Sequence, residues 1–156
     1  MGTFGIDLPL TGIPGVECRS SSGNHTLVFR FNNDVTSGNA SVTTGTGSVS
    51  GPPTFATNTM TVNLSGVTDV QMITVTLTGV TDTSAHVLPN TPVSVNILAG
   101  DTTGNRSVTS SDVSQTKLQS GATVTNANCR EDVAVNGTIT GTDISLVKSR
   151  VGMGLP

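Results

Sequence analysis

No tryptophan and no tyrosine occur in this chain of 156 residues, and aromatics make up 3% of it. A sugar-binding face built by stacking on flat rings has little here to stack with. Charge is scarce too: 11% of residues are charged, the net charge is −3, and there is no basic run. Nucleic acid is therefore not an expected partner. The only glutamates are Glu17 and Glu131, and the only histidines are His25 and His86. No glycine-rich phosphate loop, zinc spacing or Ser/His/Asp grouping is present, so the chain is expected not to be an enzyme. No apolar run approaches the roughly 20 residues of a membrane helix, so no membrane insertion is expected. No signal peptide follows Met1, as expected of a mature chain.

What the chain does have is β-alternation. Thr and Ser exceed a quarter of all residues. Leu27, Phe29 and Phe31 alternate with Val28 and Arg30. Met60, Val62 and Leu64 do the same, as do Ile73, Val75 and Leu77, and Val93, Val95 and Ile97. Period 2 with one apolar face predicts half-buried strands that pack two sheets together. Val16 and Cys18 start the set; Ala40, Val42 and Val49 fill its middle. Turns are expected at Asn32-Asn33-Asp34, Ser37-Gly38-Asn39, Gly51-Pro52-Pro53, Ser65-Gly66 and Leu88-Pro89-Asn90. About six or seven short strands over some 90 residues is the pattern of a β-sandwich.

The last third carries a repeat. Asp101 to Lys117 reads DTTGNRSVTSSDVSQTK, and Asp132 to Lys148 reads DVAVNGTITGTDISLVK. They align without a gap at a shift of 31 residues. Each opens with Asp, has Asn at its fifth position and a second Asp at its twelfth. A twelve-residue calcium loop takes oxygens from positions 1, 3, 5, 7, 9 and 12, with position 7 giving its backbone carbonyl. Those positions are Asp101, Thr103, Asn105, Ser107, Thr109 and Asp112 in the first loop. In the second they are Asp132, Ala134, Asn136, Thr138, Thr140 and Asp143. Ala134 has no side-chain oxygen. Gly137 suits the sharp turn at position 6, where the first loop has Arg106. With Asp where an EF-hand has its closing Glu, each loop brings two carboxylates. The expected calcium affinity is roughly 10⁻⁴ to 10⁻³ M, the range of extracellular modules. The other reading is a metal-free loop and helix held by the hydrogen bonds of its own Asp and Asn residues. After the second loop, Ile144, Val147 and Val151 form one helical face; in the first repeat only Val113 and Leu118 are apolar.

On this spacing the paired segments resemble the duplicated loop-helix of type I dockerins, which reads D-x-N-x-D-G-x-x-x-x-x-D before a leucine-rich helix. The resemblance implies two Ca²⁺ sites. It also implies a cohesin-like partner met through loop positions 10 and 11 (Ser110 and Ser111, Gly141 and Thr142), with Lys117 and Lys148 downstream. Asn63 to Val95, with paired Gly-Val-Thr-Asp turns at Gly66 to Asp69 and Gly79 to Asp82, resembles bacterial immunoglobulin-like domains of secreted and surface proteins. The expected division is residues 1–98 as an immunoglobulin-like sandwich and 99–156 as a small α-helical dockerin-like module. The short Ala99-Gly100 junction is expected to couple them tightly.

Together these readings describe an extracellular or cell-surface structural module that assembles with other protein subunits, by self-association into a filament. The alternatives are a dockerin that docks a secreted protein onto a cohesin scaffold, and a carbohydrate-binding module. Thr3, Phe4, Ile6, Leu8 and Leu10 form an apolar start expected to add to, or pack in a groove of, a neighbouring copy; folding back as an edge strand of its own sandwich is the alternative. Cys18 and Cys129 are the only cysteines. In a secreted chain an even count favours a disulfide; otherwise Cys18 is a buried core thiol in step with Val16. The string Leu8-Pro9-Leu10-Thr11-Gly12 matches the sortase pattern, but it precedes a strand and not an apolar tail.

Overall fold

The computed structural model describes residues 4–156, so Thr3 lies outside the described residues. The fold is mainly β, with two sheets and two helices, consistent with a β-sandwich. In chain order the elements are β1 (Val16–Glu17), β2 (His25–Arg30), β3 (Val35–Thr44), β4 (Ser48–Val49), β5 (Thr54–Ala56), β6 (Thr59–Ser65), β7 (Gln71–Asp82), β8 (Thr91–Ile97), α1 (Ser110–Leu118) and α2 (Gly141–Arg150). They pack as two compact units. One comprises Ser22–Thr68 and Ile73–Ser94; the other comprises the described residues up to Ser21, Asp69–Met72 and Val95–Pro156. The start of the chain thus belongs with the loop-helix repeats, not with the strands as a division at residue 98 expects.

The strands follow the alternation. One sheet has the order β2-β6-β4, with β5 also pairing to β6, and the other has the order β1-β8-β7-β3. β2 and β6 are antiparallel, with Leu27 opposite Val62 and Phe29 opposite Met60. β3 and β7 are antiparallel, with Ala40 opposite Leu77 and Val42 opposite Val75. Met60, Val62, Ile73 and Val75 are fully buried. Each such side chain contributes roughly 1.5–3 kcal/mol of hydrophobic stabilisation. Two expected turns are not turns. Ser37-Gly38-Asn39 lies inside β3, where the register shifts. A Cβ on Gly38 would lie 2.9 Å from Val80 Cγ2, so only glycine lets the bulged strand approach its partner. Gly79 to Asp82 is the end of β7, with Asp82 opposite Val35. The Asp82 carboxylate accepts from Asn33 Nδ2, from the N–H groups of Ser84 and His86, and sits 3.1 Å from His86 Nδ1.

In the other unit β1 runs parallel to the end of β8, with Val16 opposite Asn96. Val16, Leu98, Val108, Val113, Val133 and Val147 form its core, with Ile144, Leu146 and Leu155 packed against it. The helices have nine and ten residues, too short to hold alone in water. Both depend on this core and on their caps. The expected face of α2 is realised by Ile144 and Val147. Val151 is 52% exposed, one residue beyond the end of the helix at Arg150, where the backbone is no longer helical. Leu118, at the end of α1, is 83% exposed.

Candidate metal centre

The first loop is organised by two buried carboxylates. Asp101 Oδ1 accepts from the N–H groups of Gly104 (2.8 Å) and Asn105 (3.1 Å), and Oδ2 accepts from Arg106 N–H (2.7 Å). Asp112 caps α1 and reaches back into the loop. Its Oδ2 accepts from Thr109 N–H and hydroxyl; its Oδ1 accepts from Thr103 N–H and hydroxyl. Thr109 in turn accepts from Ser111 N–H and from the backbone of Asp112, and the reciprocal Thr109–Asp112 pair is a capping box. Burial alone would raise the Asp112 pKa, but these four hydrogen bonds outweigh it and hold the carboxyl below its ordinary value. Thr103 Oγ1 lies 2.9 Å from Asp112 Oδ1 and 3.3 Å from Asp101 Oδ1. One hydroxyl proton serves two carboxylate oxygens, so three oxygens of the kind a hard cation takes are drawn together.

The second loop repeats this frame with different residues. Asp132 accepts from Asn136 and Gly137 N–H; Asp143 accepts from Ala134 and Thr140 N–H and forms the capping box of α2. Backbone conformation repeats as well. φ is positive at position 4 (Gly104, +73°; Val135, +54°) and at position 6 (Arg106, +73°; Gly137, +83°). Each loop thus has a glycine at one of the two positions and holds an ordinary side chain against its preference at the other. Ala134 has no hydroxyl to stand between the two carboxylates, so the second loop has a poorer donor set than the first.

Asp101, Asp112 and Asp143 are fully buried and Asp132 is 6% exposed, and among the described residues none of the four takes part in an ion pair. Asn105 and Asn136 are turned to other use: their Oδ1 atoms accept from Ser107 and Thr138 N–H within the loop. Thr109 and Thr140 act as helix N-caps. Among the described residues no group of three or more His, Cys, Asp or Glu side chains is placed to share a metal ion. A cation here would rest on two carboxylates per loop, helped by hydroxyl and carbonyl oxygens. For a weak calcium site that donor set fits in the first loop; in the second it is one oxygen short.

The loops do not pair with each other. Each is bonded to the segment that follows the other repeat's helix. Gly121 N–H donates to Ile139 O (2.8 Å) and Gly152 N–H to Val108 O (2.9 Å). Short bridges join Thr123 to Thr138 and Ser107 to Gly154. All four contacts obey the 31-residue shift. Gly121 and Gly152 both have left-handed φ, +86° and +94°, where glycine is favoured. Their spacing was present in the sequence, just beyond the aligned segments.

Residues outside the motif support the first loop. Arg130 donates from Nε to Thr102 O (2.8 Å), from Nη2 to Asp101 O (3.0 Å) and from Nη1 to Val16 O (3.1 Å). Gln115 Nε2 bridges Thr102 O and Glu131 Oε1, and Glu131 Oε2 is buried without a hydrogen-bond partner among the described residues. No periodicity marks these residues, and sequence reasoning missed them.

Cys18 and Cys129 are both buried and both free, so the expected disulfide is not formed. Each thiol is directed at backbone instead: Cys18 donates to Arg130 O, and Cys129 to Asn126 O and Gly5 O. Burial pushes both thiols above their ordinary pKa. Phe4 and Ile6 pack on a small cluster of Val124, Cys129 and Ile139. Arg19, paired with Glu17, holds Phe4 O at 2.8 Å. The apolar start therefore packs on the loop-helix unit of its own chain and is not an edge strand of the sandwich. Leu8 lies near Gly15, and Leu10 is 71% exposed. No protein-family model, curated protein or solved structure matches this chain.

Proposed function

We propose that this chain is a non-catalytic extracellular module in which an immunoglobulin-like sandwich is joined to a dockerin-like pair of calcium loops, and that it builds surface or matrix assemblies by self-association. One observation carries the reading. Four buried carboxylates, two per loop, form no ion pair among the described residues and are held by N–H and O–H donors, with the one nearby guanidinium, that of Arg130, bonded to the Asp101 and Thr102 carbonyls instead. Buried charge of one sign calls for a counter-charge, and two loops of the same backbone frame present it the same way. Asp101, Thr103, Asp112 and the Ser107 carbonyl would hold the first ion; Asp132, Asp143 and the Thr138 carbonyl would hold the second. Calcium supplies charge neutralisation and rigidity. The protein residues set the loop frame and cap the helices.

Calcium titration followed by thermal unfolding tests this. At about 10 mM calcium and a dissociation constant near 10⁻⁴ M, each filled site adds about 2.7 kcal/mol. That corresponds to roughly 5–10 °C in Tm. Asp112→Ala and Asp143→Ala each remove part of the rise. No heat of binding and no shift at this concentration would refute the calcium reading; a monomeric mass with calcium at high concentration would refute self-association. The exposure of Ser110, Ser111, Gly141, Thr142, Lys117 and Lys148 favours a second reading, docking onto a cohesin-like scaffold. Pull-down on immobilised cohesin that calcium does not promote would remove it.

A further inference from the structure

The Phe4–Leu8 strap is held differently from everything around it. Residues 4–13 form no strand or helix. The strap seats two apolar side chains on Val124, Cys129 and Ile139. Its carbonyls take one strong contact, from Arg19, and one weak one, from the Cys129 thiol at 3.8 Å. Beside it a cavity of about 430 Å³ remains, lined by Gly5, Ile6, Asp7, Asn126, Ala127 and Arg130 among others. Few hydrogen bonds and an adjoining void mark a segment that opens more easily than the core. Its connection to the rest of the chain is exposed: between Pro9 and Pro14, Leu10 is 71% and Ile13 70% accessible. A proline at each end restricts the backbone of that bridge to few conformations.

We infer that a second copy of this chain supplies the strap, so that Phe4 and Ile6 of one molecule seat on Val124, Cys129 and Ile139 of another. The groove already fits this segment, and the exchanged contacts are the same as those within one chain. Exchange therefore loses little beyond association entropy. Reciprocal exchange closes a dimer, and one-way exchange propagates a fibre. This inference rests on the self-association reading and names its contact.

Two variants mixed together test it. One carries Gly5→Cys, Cys18→Ala and Cys129→Ala; the other carries Cys18→Ala and keeps Cys129. A Cβ on Gly5 meets nothing within 4 Å, so cysteine fits there. Mild oxidation with a small disulfide such as oxidised glutathione, followed by a non-reducing gel, should give a covalent heterodimer. Its yield should rise with protein concentration and fall several-fold when Phe4→Asp and Ile6→Asp are added to the first variant. Absence of heterodimer at all concentrations, while a single chain carrying both Gly5→Cys and Cys129 bridges internally, overturns the inference. A second measurement needs no cysteine. If native mass is unchanged by deletion of residues 1–8 from an oligomeric protein, the strap inference fails and self-association stands. If the full chain is monomeric throughout, both fail.

Discussion

Replacing Arg130 by Met removes five donors while keeping the length and most of the bulk of the side chain. The guanidinium bonds three backbone carbonyls, those of Val16, Asp101 and Thr102, in residues that are 3%, 0% and 1% exposed. A hydrogen bond to a charged group contributes about 1.5–3 kcal/mol, and a buried acceptor left alone costs about 1–3 kcal/mol. Simple addition overstates the loss, because water enters once the guanidinium is gone and the three bonds act as one unit. A loss of about 3–5 kcal/mol is expected, or roughly 6–20 °C in Tm for a chain of this length. Arg130→Lys should fall between, since an ammonium cannot span three carbonyls with the fork of a guanidinium. The assay is thermal unfolding followed by the helical signal near 222 nm, because α1 and α2 belong to the same unit as Arg130. Arg30→Met, at an exposed position of β2, is the control and should stay within about 0.5 kcal/mol of the parent. An Arg130→Met protein that melts within about 2 °C of the parent would show that the three contacts are incidental and that the first loop is held without them.

The donor sets make the loops unequal, so Thr103→Val should weaken calcium binding at the first site about tenfold, and Ala134→Thr should strengthen the second; calorimetry showing two sites unchanged by both would refute the oxygen triad. Asp82 is held down from its ordinary 3.8 to about 2, chiefly by Asn33 and then by His86. Its folded pKa is the lower one, so its contribution is complete above about pH 4 and is lost as pH falls through about 2; Asp82→Asn should destabilise the strand unit at pH 7 and match the parent at pH 2, and an equal gap at both would refute the assignment. Both thiols are buried with raised pKa, so a thiol reagent at pH 8 should label neither in the native protein and both in denaturant; fast native labelling of Cys129 would instead report an open strap.

The strand unit was legible because β-alternation is a direct consequence of one buried face. Met60, Val62, Leu64, Ile73, Val75 and Leu77 sit inward as their spacing requires. Gly38 and Gly79 misled because glycine marks a bulge as readily as a turn, and only the partner strand decides between them. In the loops, the Asp spacing located the buried carboxylates of both repeats. The backbone frame was hidden, because Arg106 and Val135 adopt a left-handed φ that their residue types do not announce. Arg130 left no trace, since a single basic residue has no period. The strap's receiving cluster was equally silent: Val124, Cys129 and Ile139 belong to different turns of the chain and meet only through the fold.

The crossed contacts of Gly121 with Ile139 and of Gly152 with Val108 have a consequence for the order in which the chain acquires its shape. The first link closes a short stretch of chain; the second encloses one more than twice as long. Each doubling of a loop adds about 0.6 kcal/mol to its closure entropy. The repeat that comes second in the chain is therefore the first to close, and the earlier one waits for residues made after it. A half-length copy of this module, cut between the repeats, would lack the segment that bonds its own loop. The duplication is accordingly not two self-contained parts but one part written in two halves, each bonded by the chain that follows the other's helix.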